Sequence, residues 1–468
     1  MFELISLRPL AWLLAVVVLA IAVRYSLVDR PRLLRWASTG LTALSIILLV
    51  LALLGAPLFA VIATSALLGF RSEYIDLSVV AIEIYRVAEM PALVAIPLFT
   101  FAGYVLGESQ SPERLVRLTQ ALLGWLRGGL AIVSLASCAL FTAFTGASGV
   151  TIVALGALLY PALLRAEYPE RFSLGLVTTS GSLGLLFAPA LPLILYGVVA
   201  QQMNLDQPVR IDDIFAAGVV PGLLMVTALS AWSIWQRRGS PESRVAFSWR
   251  AARAALRESI WEIPLPVVVL GGIYSGAFAL SEAAAVTALY VLVVEVGIRR
   301  EIPLSRLPAV MRESMVLVGA ILLILSVSLA TTNYLIDTEV PTHLFDFIRS
   351  RIDSQLTFLI LLNLFLLVLG MMLDIFSAIV IIVPIILPVA VGYGIHPVHL
   401  GIVFLANMQL GYITPPVGMN LFIASYRFER PVIEVYRATV PFFLILFATV
   451  LVITYWPALS LVLVGGSG

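Results

Sequence analysis

Asp374 is the only acidic residue between Asp353 and Glu429, and it sits in "GMMLDIFSA" (370–378), inside a long apolar run. A carboxylate in such surroundings is unfavourable unless it is paired or holds a cation. No arginine lies between Arg351 and Arg427, so a partner close in sequence is lacking. A hard cation with oxygen ligands is the natural partner. The alternative is a cap that binds backbone N–H groups of a following helix. One carboxylate can do both.

An earlier stretch, "FTAFTGASGVT" (141–151), is small and polar but carries no acid. It offers Thr145, Gly146, Ala147, Ser148 and Thr151. A cation there would be held mostly by backbone carbonyls, joined by those of Gly184, Phe187 and Pro189 in "GLLFAP" (184–189). The second-half counterpart is Asp374 with Gly411, Thr414 and Pro416, the last three from "GYITPP" (411–416). Small residues at these places also serve close helix packing, and that reading stays open for each of them. Other motifs are weaker. "HPVH" (396–399) sets two histidines three apart without a third ligand type nearby, and Glu282 opens a helix as a dipole partner.

These residues need a membrane-spanning frame. The chain has 468 residues, 61% hydrophobic and 12% charged, which is too little charge to cover a soluble protein of this size. Apolar segments long enough to cross a bilayer, which takes about 20 residues, recur near 10–28, 40–69, 91–107, 129–164, 172–201, 214–236, 262–279, 281–298, 315–335, 355–393, 398–426 and 438–459. The N-terminus reads as a first membrane helix and not a signal peptide, since no small-residue cleavage site follows its apolar core. All 28 basic residues are arginine, and the single cysteine, Cys138, has no internal disulfide partner. Near-neutral charge gives no sign of nucleic acid.

Arginine clusters mark the cytoplasmic side. They fall at 30–35, 237–257 and 299–312, whereas the 203–213 loop with Asp206, Asp212 and Asp213 belongs outside. Threading the chain through these marks leaves two segments, 129–164 and 355–393, that must enter and leave on the same side. Both are predicted to be re-entrant hairpins, opening to opposite faces. The same threading puts both termini in the periplasm.

The halves also repeat. At an offset of 227 residues Pro388 falls on Pro161, Gly411 on Gly184 and Pro416 on Pro189, and Pro441 pairs with Pro221 at 220. Opposed hairpins with broken helices at equivalent places mark inverted-repeat secondary transporters. Irregular backbone at membrane depth is tolerated where it lines a cavity. The expected fold is therefore an all-α polytopic membrane protein, an inverted-repeat transporter with two re-entrant hairpins and two broken helices. A membrane-embedded enzyme is disfavoured by three histidines and one cysteine. A passive channel is disfavoured because polar residues gather at two breaks.

The sequence resembles the large membrane subunit of tripartite ATP-independent periplasmic (TRAP) transporters, the C4-dicarboxylate permease type. The likeness rests on "FTGASGVTIVALG" (144–156), "GSLGLLFAPALPLILYGVVA" (181–200), "AGVVPGLL" (217–224), "GGIYSGAFALSEAAAV" (271–286), "GMMLD" (370–374) and "GIHPVHLGIVFLANMQLGYITPPVGMNLFIAS" (394–425). The resemblance implies sodium-coupled import of an organic acid by an elevator mechanism in the bacterial cytoplasmic (inner) membrane. It implies no cofactor, with sodium as coupling ion. A periplasmic solute-binding protein and a small membrane subunit would be the partners.

On this reading 1–38 form an additional N-terminal helix, and 39–127, 203–353 and 428–468 a fixed scaffold. Residues 128–202 and 354–427 form a transport domain. Ala188 departs from the family, which often has two prolines at the first break. For the organic acid, donors beside the breaks are Ser148, Ser180, Ser182, Asn407 and Asn420, each equally able to serve as a helix-packing polar residue. No arginine lies in the predicted core, so hydroxyls, amides and half-helix N-termini would bind the carboxylate.

Overall fold

The computed structural model describes Leu48 and residues 58–72, 76, 78–203, 205, 207–236 and 247–464. The expected helix at 1–38 and Asp206 of the acidic loop lie outside the described residues. Among the described residues there are helices and turns and no strand. Eight of the described helices are long and apolar enough to cross a membrane.

The first half runs α1 (Leu58–Ser72), α2 (Ser78–Ala88), α3 (Pro91–Glu108), α4 (Ser111–Leu123), α5 (Gly129–Thr145), α6 (Ser148–Arg165), α7 (Glu170–Ser180), a 3-10 turn (Leu183–Leu186), α8 (Leu191–Gln201) and α9 (Ile211–Gln236). Then come α10 (Trp249–Glu258), α11 (Pro264–Tyr274), α12 (Leu280–Leu292), a π-helical turn (Val293–Ile298), α13 (Leu307–Asp337) and α14 (Val340–Arg349). The chain closes with α15 (Gln355–Met372), α16 (Ile375–Gly392), α17 (Pro397–Gly411), α18 (Met419–Arg427), α19 (Val432–Tyr455) and α20 (Ala458–Leu461).

Each expected hairpin segment is two helices joined by a two-residue tip. The α5 helix stops because Gly146 adopts φ 63°, with its N–H donating to the Thr142 carbonyl. Glycine enters that left-handed region without steric penalty. Ala147 is extended and α6 restarts at Ser148. In the second half Leu373 and Asp374 are both extended, and Asp374 caps α16.

Each expected broken helix is broken. The α7 helix and 3-10 turn meet α8 at a bend of 40°. Between them lies Pro189, which has no N–H to continue a helix. The α17 helix ends at Gly411, and α18 begins only after Pro415, Pro416 and Gly418. Both breaks carry a cis X–Pro bond, Ala188–Pro189 and Pro415–Pro416, at positions paired by the 227-residue offset.

The packing repeats as well as the sequence. The α5 helix packs on the 3-10 turn of the first break, and α15 packs on α17 of the second. The α6 helix packs on α18, and its counterpart α16 packs on α8. Each tip's second helix thus lies against the distal half-helix of the opposite repeat, which locks the halves into one body.

Candidate functional site

At the first break Thr142 Oγ1 lies 2.7 Å from Thr151 Oγ1 and 2.9 Å from the Gly181 carbonyl. A Cβ on Gly184 would stand 2.3 Å from the Ala139 carbonyl oxygen and 2.5 Å from the Ala143 nitrogen. Only a residue without a side chain lets the break touch α5 so closely. The α5–α6 tip, with Thr145, Ala147 and Ser148, therefore sits against the break holding Gly184, Phe187 and Pro189. The Gly184 and Phe187 carbonyls accept from the N–H groups of Phe187 and Ala190, both at 3.0 Å, and the Ala147 carbonyl accepts from Thr151 N at 3.3 Å. A carbonyl has two lone pairs, so those of Gly184 and Phe187 each keep one for a cation, whereas that of Ala147 also accepts from Thr151 Oγ1 at 3.4 Å.

The second break repeats the close glycine contact and the backbone turn but not the threonine bonds, since Thr142, Thr151 and Gly181 pair with Leu369, Ala378 and Met408. A Cβ on Gly411 would stand 2.4 Å from the carbonyl carbon of Gly370, which pairs with Ala143 at the same offset. The Gly411 carbonyl accepts from Thr414 N at 3.0 Å, as Gly184 does from Phe187. Gly418 N donates to the Met371 carbonyl at 2.9 Å, and Ile375 N to the Tyr412 hydroxyl at 2.8 Å. Asp374 is half-buried and occupies the place of Ala147. Its Oδ1 accepts from Ser377 N at 2.9 Å and its Oδ2 from Ser377 Oγ at 2.6 Å. The carboxylate is thus a helix cap that retains lone pairs. Pro416 differs from Pro189: it is exposed, and its carbonyl accepts from Tyr436 OH at 2.6 Å. Around both tips the donor set is oxygen, the chemistry of a hard cation.

The five expected substrate donors divide. Asn407 donates to Asn363 Oδ1 at 2.6 Å, and Thr454 donates to the same oxygen at 3.1 Å. Asn407 therefore joins α15, α17 and α19 and serves packing. Ser180 and Ser182 donate to carbonyls three residues back, at 3.1 and 3.4 Å. Ser148 is buried at the first tip. Asn420 spans the repeats, donating to the Thr178 carbonyl at 3.4 Å, while its Oδ1 has no hydrogen-bond partner.

Several of the buried polar atoms without partners lie in the same region. Besides Asn420 Oδ1 they include Thr145 Oγ1, Thr179 Oγ1 and both amide atoms of Gln409. An unpaired buried polar group costs about 1–3 kcal/mol, so four such side chains on the elements around two breaks are expensive unless a ligand meets them. Sequence reasoning missed Thr179 and Gln409. Gln409 pairs with Ser182 at the 227-residue offset, and that signal was available. No group of three or more His, Cys, Asp or Glu placed to hold a metal occurs among the described residues, which includes the two histidines of "HPVH". His399 instead bonds to Ser460 Oγ at 3.1 Å and the Thr454 carbonyl at 3.2 Å.

Long apolar helices, two paired breaks and an oxygen-lined, partly unsatisfied interior define a multi-pass membrane transporter rather than an enzyme. The family model for the tripartite ATP-independent periplasmic transporter, DctM component, matches residues 45–459, and the chain belongs to that family. It is 34% identical over 403 residues to the C4-dicarboxylate TRAP transporter large permease protein DctM of Rhodobacter capsulatus, covering 84% of this chain and 91% of that one. It is 30% identical over 420 residues to the ectoine/5-hydroxyectoine TRAP transporter large permease protein UehC of Ruegeria pomeroyi, covering 89% and 96%. Its fold is similar to the crystal structure of the Alcanivorax borkumensis YdaH transporter, with a TM-score of 0.58, 15% identity, and 82% and 88% of the two chains covered.

Proposed function

We propose that this large permease imports a small organic acid across the bacterial cytoplasmic membrane by sodium-coupled elevator transport. The observation that carries the reading is the pairing of each tip with a broken helix through a close glycine contact, beside buried polar atoms that lack partners. Sodium would bind at the first site through Thr145, Ala147, Gly184, Phe187 and Pro189. At the second it would bind through Asp374, Gly411, Thr414 and Pro416. Substrate would meet Ser148, Thr179, Gln409 and Asn420, with Ser180 and Ser182 behind them. C4-dicarboxylates are one class to test and zwitterions such as ectoine another, following the names of the two relatives. The tips would open to opposite faces of the membrane, as the arginine pattern requires.

The moving body would hold 128–202 and 354–427. The scaffold would hold 39–127, 203–353 and 428–468, and it meets the moving body closely: a Cβ on Gly218 of α9 would stand 2.0 Å from the Leu186 carbonyl oxygen, and one on Gly103 of α3 would stand 2.7 Å from Thr145 Cα. A periplasmic binding protein would deliver substrate, and a small membrane subunit would brace the scaffold.

The test is reconstitution in proteoliposomes with the binding protein and small subunit, under a sodium gradient, with a panel of organic acids and ectoine. Uptake that needs both partners and sodium is expected. Robust uptake by the purified chain alone would leave a simple symporter and overturn the tripartite reading.

A further inference from the structure

Away from the breaks, Arg114 of α4 is buried among three carboxylates. Its Nε pairs with Glu262, its Nη1 with Glu301, and its Nη2 lies 3.3 Å from both oxygens of Glu295 in the π-helical turn. The Ser111 hydroxyl lies 3.1 Å from Glu295 and 3.3 Å from Glu262 Oε1. One guanidinium cannot neutralise three carboxylates, and uncompensated charge out of water is strongly unfavourable. The unmet atom is identifiable. Glu262 is 6% exposed and its Oε2 has no hydrogen-bond partner.

Glu262 also lines a cavity of about 180 Å³. Apart from Glu262 and Ser111 the walls are apolar, including Leu115, Leu118, Leu140, Phe144, Pro266 and Val267. An inorganic cation needs several oxygen ligands, which these walls lack. An ammonium head on an apolar body fits, because the head donates to Oε2 while the body fills the cavity.

Neighbouring residues identify the source. Ile260, Val267 and Val268 are exposed apolar side chains on the segment that bounds the cavity. The α10 helix packs on α4 and carries exposed Trp249, Arg250, Arg253 and Arg257. Trp125, also exposed, stacks edge-on against Phe247. Exposed tryptophan and arginine close together are the composition of the headgroup zone of a bilayer. The geometry points to an aminophospholipid site, with the primary ammonium on Glu262 Oε2 and an acyl chain between α4, α5 and α11.

The experiment is native mass spectrometry of the purified chain, taken from nanodiscs of phosphatidylethanolamine or of phosphatidylcholine with the same acyl chains. One retained phosphatidylethanolamine is expected, with phosphatidylcholine retained about ten-fold less, because the methylated head cannot donate. Glu262→Gln keeps the shape and removes the charge. Leu140→Trp fills the cavity without touching the cluster. Both should lower retention about ten-fold while the protein stays monodisperse. Equal retention of both lipids, or by both variants, would overturn the site. So would retention of neither lipid, which would mean that a proton neutralises the cluster. Octylamine bound in detergent with no phospholipid retained would overturn the bilayer as source.

Discussion

Replacing Gly411 by alanine tests whether contact between tip and break holds the site. The new Cβ would stand 2.4 Å from the Gly370 carbonyl carbon, 2.5 Å from its Cα and 2.8 Å from its oxygen. All three are backbone atoms, so no side chain can swing aside. Restoring ordinary contact at 3.4 Å requires α15 and α17 to part by about 1 Å. Overpacking of this kind costs about 1–3 kcal/mol. Removing a helical glycine returns at most roughly 1 kcal/mol. A ligand site tolerates only about 0.5 Å of displacement, so transport should suffer more than stability. Two comparisons rank the effect. A Cβ on Gly370 would meet Gly411 Cα at 3.1 Å, a milder clash, and one on Gly319 of α13 would meet nothing within 4 Å. The assay is thermal melting in detergent beside initial uptake rates in proteoliposomes carrying the partner subunits. The expected order of damage is Gly411→Ala, then Gly370→Ala, with Gly319→Ala neutral or stabilised by up to about 1 kcal/mol. If Gly411→Ala melts and transports like the parent, the close-contact reasoning fails.

Gly184→Ala should match Gly411→Ala in both assays, because its Cβ would stand 2.3 Å from the Ala139 carbonyl oxygen; a mild phenotype would break the equivalence of the halves. Asp374→Asn keeps an oxygen for the Ser377 N–H, so melting should move by only a few tenths of a kcal/mol while the sodium concentration for half-maximal uptake rises, and an unchanged sodium titration would leave Asp374 as a cap alone. Gln409→Met removes two unpaired buried atoms and should stabilise the protein by about 1–3 kcal/mol while abolishing uptake; full uptake would remove Gln409 from the site. Single cysteines at Arg127 and Ser354, both exposed, should label from opposite sides of intact cells in a Cys138→Ala background. Labelling from one side would overturn the opposed tips.

How much of this was legible depends on residue type. Proline and glycine carry their backbone consequences locally, so Pro189, Pro415, Pro416, Gly184 and Gly411 announced both breaks and their offset. Asp374 was legible because charge in an apolar run is conspicuous. Its cap on Ser377 was one of two open readings, and the carboxylate geometry shows the cap is made. Asn407 was open both as a ligand donor and as a packing residue, and nothing local decided between them. Its partner Asn363 lies 44 positions away, brought near only by the register of α15 on α17. Arg114 carries no local sign of its surroundings for the same reason, since its three carboxylates come from 262, 295 and 301. Thr179 and Gln409 carry no unusual spacing. Their significance lies in what fails to face them, which only packing reveals.

Both breaks press a glycine on the first helix of their tip and turn through the same backbone bond, yet their surroundings differ. Pro189 is buried, whereas its counterpart Pro416 is exposed together with Pro415. The shared glycine contact does not account for that difference, and the breaks also differ in what they face. The first break lies under α9, whose Gly218 and Gly222 meet Leu186 and Phe187. The second has α19 beside it, and there the link to Pro416 is a single long side chain, Tyr436. A repeat related by inversion has to present its halves to opposite sides of a membrane, and one side at a time can be open. A difference in how the two breaks are covered is what an alternating-access body, as proposed above, would show in one of its two orientations, with the double proline of the second break the more exposed.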